Sequence, residues 1–403
     1  MKKPVLLLLA AFASLAPLAS CEPEELHDAW AIGVDVDQGP QNNVVLSSAM
    51  KLLSNAVPEA LDGIVDGGFK GATSVTLGAA ENAVGLPTAE SSWRFSNFTT
   101  TQYDEIYQKV VDGDVVVPSN YDSPDELSAF LVANGYDQKE ADSLADAMVP
   151  SSSTSSAYRP RVSTLAEGDD AEKDLPTLTA DNIKITMITD VGTIDDKSFN
   201  QGTWEAVELW AGERGLSDTQ YNYLRPASGT TDAYEDTIKQ AIDNGANVIV
   251  SPGYLFSDSF KDLAPQYSNV YFIGIDFTQP NIAECPNVYN INFKEQEAGF
   301  FAGYAAAMEG FKSVGFMGGQ AIPAPVKYGI GFLAGIAYAN STEGTDCEIT
   351  ASHIWYCGTF TSTPTTITPR IQGWYNSGVE CVFHAAGQAG NDVFTACENY
   401  LRG

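Results

Sequence analysis

Three aspartates in this sequence stand where short apolar segments end. Asp35, Asp190 and Asp276 each close a run rich in β-branched residues, the pattern of a buried strand. An ionised carboxylate only accepts hydrogen bonds, and it can accept two donors at once. This chemistry suits the vicinal hydroxyls of a sugar or the ring N–H of a base. A single aspartate at a strand end can equally be a helix N-cap or a turn residue, so the convergence of all three is the decisive expectation.

Five further residues could complete such a site. Phe199 and Phe360 occupy loop-like positions, where a ring either packs into the core or stacks on a flat ligand, which is worth about 1–3 kcal/mol per base. Asn200 offers amide donors and acceptors, and Lys51 offers a donor that offsets the carboxylates. Gly387 follows a strand and would let backbone approach a ligand closely. These residue types together predict a site that binds a small ligand.

Enzyme chemistry is not expected. The sequence has no Gly-x-Ser-x-Gly elbow, no His-Glu-x-x-His pair and no Walker loop. Its histidines, His27, His353 and His384, are scattered, and His384 is interpreted as a core residue; Trp204 is expected in the core as well. We expect no metal and no cofactor. Paired acids could hydrolyse a glycosidic bond, so a hydrolase remains the third alternative function.

Alternating strand and helix patterns must position these residues. Helices are predicted at residues 200–214, 232–244, 295–308, 328–339, 369–377 and 391–401. Strands are predicted at residues 30–36, 184–190, 247–251, 270–276, 312–317, 348–355 and 379–385. Such alternation implies right-handed βαβ units and parallel sheets. Seven or more strands over this length favour an α/β protein with two doubly wound lobes.

The N-terminus predicts export. Lys2 and Lys3 precede an apolar stretch at residues 5–19 that is too short to span a membrane. The stretch ends Leu-Ala-Ser before Cys21, which resembles the lipobox of bacterial lipoproteins. We therefore expect a lipoprotein signal peptide at residues 1–21, an acylated Cys21, and a membrane anchor facing the periplasm or cell exterior. A plain secretory signal is the alternative.

Charge and cysteine usage narrow the class further. A formal net charge of −31 repels phosphate backbones and argues against nucleic-acid binding. Five cysteines follow Cys21, an odd number that leaves at least one unpaired in an exported protein. Buried, unreactive thiols are the expected state, with a Cys347–Cys357 bridge as the alternative. The polar, serine-rich and acidic stretch at 150–183 is predicted to be a flexible linker.

Several segments together resemble the basic membrane protein family, also called the purine nucleoside receptor A family. The segments are residues 189–201 (TDVGTIDDKSFNQ), 274–276 (GID), 292–303 (NFKEQEAGFFAG), 314–319 (VGFMGG), 383–390 (FHAAGQAG), 32–38 (IGVDVDQ), 47–51 (SSAMK) and 66–71 (DGGFKG). The resemblance implies a type I periplasmic binding protein, with LacI-like lobes, that captures a nucleoside, expected to be a purine, for the permease of an ABC importer. It also implies that Asp190 binds the base and that Asp276 and Asp35 bind the sugar, with Lys51 as an added donor.

The order of the motifs is unusual. In the family, the segment like 32–38 follows the segment like 383–390, whereas here it comes first. The chain is therefore interpreted as a circular permutation, with the usual termini joined by the linker at 150–183. The predicted domains are lobe 1, residues 51–149 plus 184–295, and lobe 2, residues 22–50 plus 296–403. This order requires Asp35 and Lys51 to reach a cleft built from residues 190–390.

Two alternatives remain open beside nucleoside capture. A sugar or autoinducer receptor of the same architecture would use the carboxylates without needing Phe199 and Phe360 as a base sandwich. A surface lipoprotein acting as an adhesin or sensor would bind no small ligand tightly. The two differ in whether a small molecule binds at all.

Overall fold

The computed structural model describes residues 29–150 and 175–403. The predicted signal peptide at 1–21, the acylated Cys21 and residues 151–174 of the predicted linker lie outside these ranges. No helix within the described ranges is both long enough and apolar enough to cross a membrane.

The described residues form alternating strands and helices. The strands are β1 (Trp30–Asp35), β2 (Val45–Lys51), β3 (Thr73–Leu77), β4 (Val84–Gly85), β5 (Ile185–Ile188), β6 (Tyr221–Leu224), β7 (Val248–Pro252), β8 (Tyr271–Ile275), β9 (Val288–Phe293), β10 (Ser313–Gly318), β11 (Glu348–Tyr356) and β12 (Cys381–Ala385). The helices are α1 (Leu53–Val65), α2 (Thr100–Val111), α3 (Asp125–Ala133), α4 (Gln138–Met148), α5 (Phe199–Glu213), α6 (Thr231–Asp243), α7 (Ser257–Leu263), α8 (Glu295–Glu309), α9 (Pro323–Glu343), α10 (Ile367–Asn376) and α11 (Asn391–Leu401). All seven strands and six helices predicted from periodicity are present.

Two six-stranded sheets organise the chain. The first has the strand order β11-β10-β12-β1-β2-β4, and the second has the order β3-β9-β8-β7-β5-β6. Neighbouring strands pair in parallel, except that β4 runs antiparallel to β2. The strands that carry the site are buried along their length because helices cover both faces of each sheet. The expected two-lobed α/β class is confirmed.

The strand orders have the form that circular permutation produces. When the strands are counted from β5 to the C-terminus and onward from β1, both sheets follow the order 2-1-3-4-5-6. The first five positions match the flavodoxin-like doubly wound order. The point where this count passes from α11 to β1 is held together, because the Tyr375 hydroxyl donates to the Trp30 carbonyl at 2.8 Å and the Cys397 thiol donates to the Ala29 carbonyl at 3.1 Å.

The boundaries predicted for the lobes need correction. Lobe 1 was expected to include residues 51–149, but only α1, which packs on α5, and β3, which pairs with β9, join the second sheet. The strand β4 pairs with β2, α2 packs on α8, and α3 and α4 pack on α9 and β11. Residues 84–148 therefore belong to lobe 2, because their apolar faces cover the helices and edge strand of the first sheet.

The end of the predicted linker is also structured. Leu178 and Ile183 are buried at 3% and 0% exposure, and the Tyr271 hydroxyl donates to the Pro176 carbonyl at 2.9 Å. The expectation of a flexible linker over 150–183 is therefore wrong for residues 175–183. The polar composition of the stretch concealed two apolar anchors that pack beneath the second sheet.

The helices α8 and α9 meet at a seam of glycines. A Cβ atom at Gly299 or Gly303 of α8 would lie 2.1 or 1.9 Å from a carbonyl oxygen of α9. At Gly331 or Gly335 of α9 it would lie 2.0 or 2.1 Å from a carbonyl of α8. Glycine at every fourth position lets the two backbones touch, so any side chain there must push the helices apart.

We therefore expect Gly303→Ala to destabilise the protein by at least about 1–3 kcal/mol, because overpacking displaces both helices. Thermal unfolding followed by circular dichroism measures the effect. Gly373→Ala in α10 is the matched control, because no atom lies within 4 Å of its added Cβ. That variant should be neutral or more stable by up to about 1 kcal/mol. Equal melting temperatures for the two variants would contradict the close backbone packing of α8 against α9.

Candidate ligand-binding site

A cavity of about 350 Å³ lies between the lobes, at the carboxyl ends of both sheets. All eight residues predicted for the site line it, namely Asp35, Lys51, Asp190, Phe199, Asn200, Asp276, Phe360 and Gly387. Asp35 and Lys51 thus reach the cleft despite their place near the N-terminus. Both residues therefore lie where the chain order required them to lie, and their roles in binding stay a prediction.

Two of the aspartates have a backbone conformation that few residues adopt. Asp35 ends β1 with φ of 65°, and Asp276 directly follows β8 with φ of 66°. The left-handed region is unfavourable for residues with a Cβ atom, although aspartate tolerates it better than most. Strained residues of this kind cluster at ligand sites, where the surrounding fold holds them in place.

Lys51 lies among three carboxylates. Its ammonium bonds one oxygen of Asp276 and lies 3.7 Å from Asp35 Oδ1 and 3.6 Å from Glu295 Oε1. It also lies 4.8 Å from the centroid of the Phe199 ring and 5.5 Å from that of Tyr328. The side chain is only 2% exposed. This arrangement fixes a positive charge at the wall of the cavity.

Burial and charge shift the pKa values in this cluster. Burial lowers the pKa of Lys51, but the carboxylates of Asp276, Asp35 and Glu295 raise it more, so the amine stays ionised. Burial raises the pKa of Asp276 to about 6, against the opposing charge of Lys51. Asp276 Oδ1 is buried and has no hydrogen-bond partner. An acceptor without a donor therefore lies within a residue that lines the cavity.

Asp190 and Asn200 hold each other in a turn. Asp190 Oδ1 accepts from the Gly192 backbone N–H at 2.6 Å and from Asn200 Nδ2 at 2.8 Å, while Asn200 Oδ1 accepts from the Asp190 N–H at 3.0 Å. Burial raises the pKa of Asp190. The turn interpretation of this aspartate is therefore correct, and the same residue also lines the cavity.

Asp196 caps α5, a role that the sequence analysis missed. Its Oδ1 accepts from the backbone N–H groups of Ser198 at 2.8 Å and Gln201 at 3.1 Å, and its Oδ2 accepts from the Asn200 N–H at 3.1 Å and Nδ2 at 2.8 Å. Burial raises its pKa to about 6. An aspartate before a helical pattern is a known capping signal, but the adjacent Asp195 made the choice ambiguous.

The two aromatic residues reach the cavity from different lobes. Phe199 begins α5 of lobe 1, and Phe360 follows β11 of lobe 2. Phe360 packs over two glycines: a Cβ added at Gly319 would lie 2.4 Å from its ring, and one added at Gly387 would lie 3.7 Å from the Cβ of Phe360. Gly387 has φ of 54°, so it supplies the close backbone approach expected of it.

Polar contacts join the lobes around the cavity. The Ser198 hydroxyl donates to Asp35 Oδ2 at 2.6 Å, and the Tyr254 hydroxyl donates to Gln320 Oε1 at 2.9 Å. Gln38 Nε2 donates to the Lys197 carbonyl at 2.6 Å. Tyr254, Gln320 and Tyr328 line the cavity without any local sequence pattern that predicts it, because their positions depend on how the lobes meet.

The residues expected in the core are there. Trp204 is 8% exposed and His384 is 0% exposed, and neither lines the cavity. Burial lowers the pKa of His384 to about 3, so the ring is neutral. Cys285, Cys347, Cys357, Cys381 and Cys397 carry free thiols, so the alternative Cys347–Cys357 bridge is absent.

The charged lining is acidic. Asp35, Asp190, Asp196 and Asp276 face a single ammonium, that of Lys51, which gives a formal charge of −3 if all are ionised. The rest of the lining combines amide and hydroxyl side chains with aromatic and small apolar groups. The arrangement can accept hydrogen bonds from a neutral or cationic ligand and stack on a flat ring, and it disfavours an anion.

Comparison with known proteins assigns the chain to a family. Residues 183–400 match the Bmp family model, described as ABC transporter substrate-binding protein PnrA-like. This match covers more than half of the chain. The protein belongs to the PnrA-like family.

The PnrA-like relatives share moderate identity. The CD4+ T-cell-stimulating antigen of Listeria monocytogenes is 28% identical, over 57% of this chain and 62% of the relative. The nucleoside-binding protein BmpA of Lactococcus lactis is 27% identical, over 53% of this chain and 58% of the relative. Basic membrane protein A1 of Borrelia garinii is 29% identical, over 51% and 57%. The matches thus span about three fifths of the relatives' own lengths.

Solved structures give a similar picture. A solute-binding protein of an ABC transporter system from Aeropyrum pernix K1 is 26% identical, with a TM-score of 0.47, over 54% of this chain and 58% of that one. The match again leaves out a large part of each chain.

The cap at Asp196 gives a stability prediction. Asp196→Ala is expected to lower the free energy of unfolding by about 1–2 kcal/mol, because buried N–H groups of α5 lose their acceptor. The folded-state pKa of Asp196 is raised to about 6, so the folded protein binds this proton more tightly than the unfolded chain does. Proton binding therefore stabilises the wild type at low pH, and this stabilisation is lost as pH rises through about 6. The gap between wild type and variant should therefore be wider at pH 5 than at pH 7.5.

Thermal unfolding at the two pH values measures this gap. Asp195→Ala is the matched control, because it removes the same charge from the exposed neighbouring position. Equal losses from the two substitutions would show that Asp196 does not cap the helix.

Proposed function

We propose that this PnrA-like protein captures a nucleoside, with a purine as the expected base, in the cavity between its lobes. The observation that carries the proposal is a cavity lined by Phe199 and Phe360 from opposite lobes and by Asp276, whose buried Oδ1 lacks a partner. A buried, unmatched carboxylate oxygen is unfavourable until a donor reaches it. A ribose hydroxyl supplies that donor, and a base supplies the flat ring.

The parts of a nucleoside correspond to the parts of the site. Asp35, Lys51 and Asp276 form a charged cluster suited to the sugar hydroxyls. Asn200 bonds Asp190 Oδ1 and Asp196 and so orients Asp190, whose second carboxylate oxygen can accept from the edge of a base. Phe199 and Phe360 offer ring faces from the two lobes, so closing the lobes encloses the base between them. A volume of about 350 Å³ is ample for a ligand of this size.

Charge favours a nucleoside over a nucleotide. A phosphate would enter a lining with four carboxylates and a single lysine, and like charges brought together in a binding site cost several kcal/mol. The name of the Lactococcus lactis relative, a nucleoside-binding protein, supports the same ligand class.

The partners and location form part of the proposal. The closed protein would present its ligand to the permease of an ABC importer, in line with the family's description. The lipobox-like sequence before Cys21 supports a lipid anchor on the outer side of the membrane. The acidic surface argues against a nucleic-acid partner. Turnover of the ligand forms no part of this function.

Isothermal titration of the purified protein tests the ligand class. Adenosine, guanosine or inosine should bind with a dissociation constant in the micromolar range or below. The corresponding 5′-monophosphate should bind at least about a hundredfold more weakly, since several kcal/mol of repulsion converts to this factor. Tight binding of free ribose without nucleosides would favour a sugar receptor. No small-molecule binding would favour an adhesin or sensor, and released base would reveal a hydrolase.

Phe199→Leu separates a base sandwich from a sugar site. Stacking contributes about 1–3 kcal/mol per base, so the variant should bind the nucleoside about 5- to 150-fold more weakly. Titration with free ribose is the internal control, because the sugar does not need the ring face. If affinity for the nucleoside is unchanged, Phe199 does not stack on the base.

A further inference from the structure

The chain passes between the lobes three times within the described residues. The crossings are at residues 51–53, 77–84 and 293–295, where β2 leads to α1, β3 to β4 and β9 to α8. The Leu52 N–H donates to the Ala83 carbonyl at 2.8 Å, and the Lys294 N–H donates to the Leu77 carbonyl at 2.8 Å. These bonds tie the three crossings into one bundle, which we call the hinge. Motion of one lobe against the other must deform this bundle.

The lysine of the cavity stands on the hinge. Lys51 ends β2 at the first crossing, and Glu295 begins α8 at the third. Glu295 Oε1 lies 3.6 Å from Lys51 Nζ, and Glu295 Oε2 lies 3.2 Å from Lys327 Nζ on α9. The Glu295 side chain is 3% exposed. Its carboxylate is therefore held between two ammonium groups, one inside the cavity and one outside it.

Carboxylates attract the ammonium of Lys51 from two sides. Glu295 does not line the cavity, yet it attracts the ammonium from the hinge side, while Asp276 and Asp35 attract it from the ligand side. Lys51 donates to Asp276 Oδ2 and lies farther from Asp35 and Glu295, and Asp276 Oδ1 remains without a partner. A buried carboxylate such as Glu295 is costly unless it is paired, so its position between two lysines is its stable state.

We propose that Glu295 is a positioning residue that holds Lys51 at the hinge and so keeps Asp276 open to a hydroxyl of the ligand. The inference rests on the proposed function. A ligand that donates to Asp276 changes the balance of charge around Lys51, and the ion pair between Lys51 and Glu295 connects this charge to the third crossing. Occupancy of the sugar end of the cavity is thereby linked to the hinge.

The link between the sugar end of the cavity and the hinge should appear in the pH dependence of ligand affinity. The charged and titratable groups around Asp276 and Glu295 are Lys51, Asp35, Lys327, Tyr121 and Tyr328. Burial, Glu295 and Asp35 raise the pKa of Asp276, and Lys51 lowers it, leaving it at about 6. The ionised carboxylate accepts a hydrogen bond from a hydroxyl more strongly than the protonated acid does, so affinity is lost as pH falls through this value, by up to about tenfold per pH unit.

We call the loss of affinity at low pH the acid limb of binding. Removing the charge of Glu295 should shift the pH at which this limb occurs. Glu295→Gln lowers the pKa of Asp276, so the loss of affinity shifts to lower pH, by at least about half a unit in a cluster this close. At pH 7.5 the same variant binds at least about fivefold more weakly, since Lys51 is no longer held in place. A residue with a purely structural role would weaken binding without moving the acid limb.

Titration of wild type and variants with adenosine, guanosine and inosine between pH 5 and pH 8 tests the proposal. Glu297→Gln is the matched control, because Glu297 lies on the same helix at the hinge but binds the Ala79 N–H and Lys294. It should keep the wild-type acid limb. Glu295→Asp retains the charge and should restore that limb.

Should Glu295→Gln fail to fold, Lys327→Met provides the complementary change. Lys327 lies outside the cavity, and without it Glu295 draws Lys51 more strongly, so the acid limb should move to higher pH. An unmoved limb in both variants, or an equal shift in Glu297→Gln, overturns the role of Glu295. Failure of the wild type to bind any of the three nucleosides overturns the proposed function itself.

Discussion

A single buried ammonium group determines how the two lobes meet. Lys51 Nζ contacts carboxylates from β1, from the end of β8 and from the start of α8, so residues of both lobes converge on one charge. Removing one partner of such a cluster leaves an uncompensated buried charge, typically at a cost of about 3–5 kcal/mol. The strained backbone at Asp35 and Asp276 is understandable on this basis. The ion pairs offset the strain and aim both carboxylates at the cavity.

The permuted chain order leaves this cluster intact because its geometry depends on strand neighbours. Asp35 and Lys51 lie on β1 and β2, which pair in parallel in the first sheet, while Asp276 and Glu295 follow β8 and β9 of the second. Neither pairing requires a particular starting point for the chain. A cut between α11 and β1 removes a loop connection but no ladder hydrogen bond. The site is thus a property of the sheets, and surface connections can be exchanged around it.

Local sequence predicted this fold and site well where one strand or helix sufficed. Three buried strands, β1, β5 and β8, end at or within two residues of an aspartate that lines the cavity, and the rule that ligands lie at the carboxyl ends of parallel strands placed Asp190 and Asp276 together. The errors concerned contacts between residues that are far apart in the sequence. The amphipathic pattern of α2–α4 showed one apolar face but could not show which sheet that face covers. Glu295 was hidden for the same reason: nothing near it in sequence reveals two lysines on either side of its carboxylate.

The glycine seam connects the charge cluster rigidly to a wall of the cavity. Glu295 is the first residue of α8, and α9 begins at Pro323, which lines the cavity. Because the two helices touch through their backbones at Gly303 and Gly331, they have little freedom to slide and behave as one rigid unit. That unit carries the hinge carboxylate at one point and a wall of the cavity at another. Any shift of Lys51 that Glu295 transmits therefore moves the wall as well, so ligand contact and lobe closure share the same rigid element.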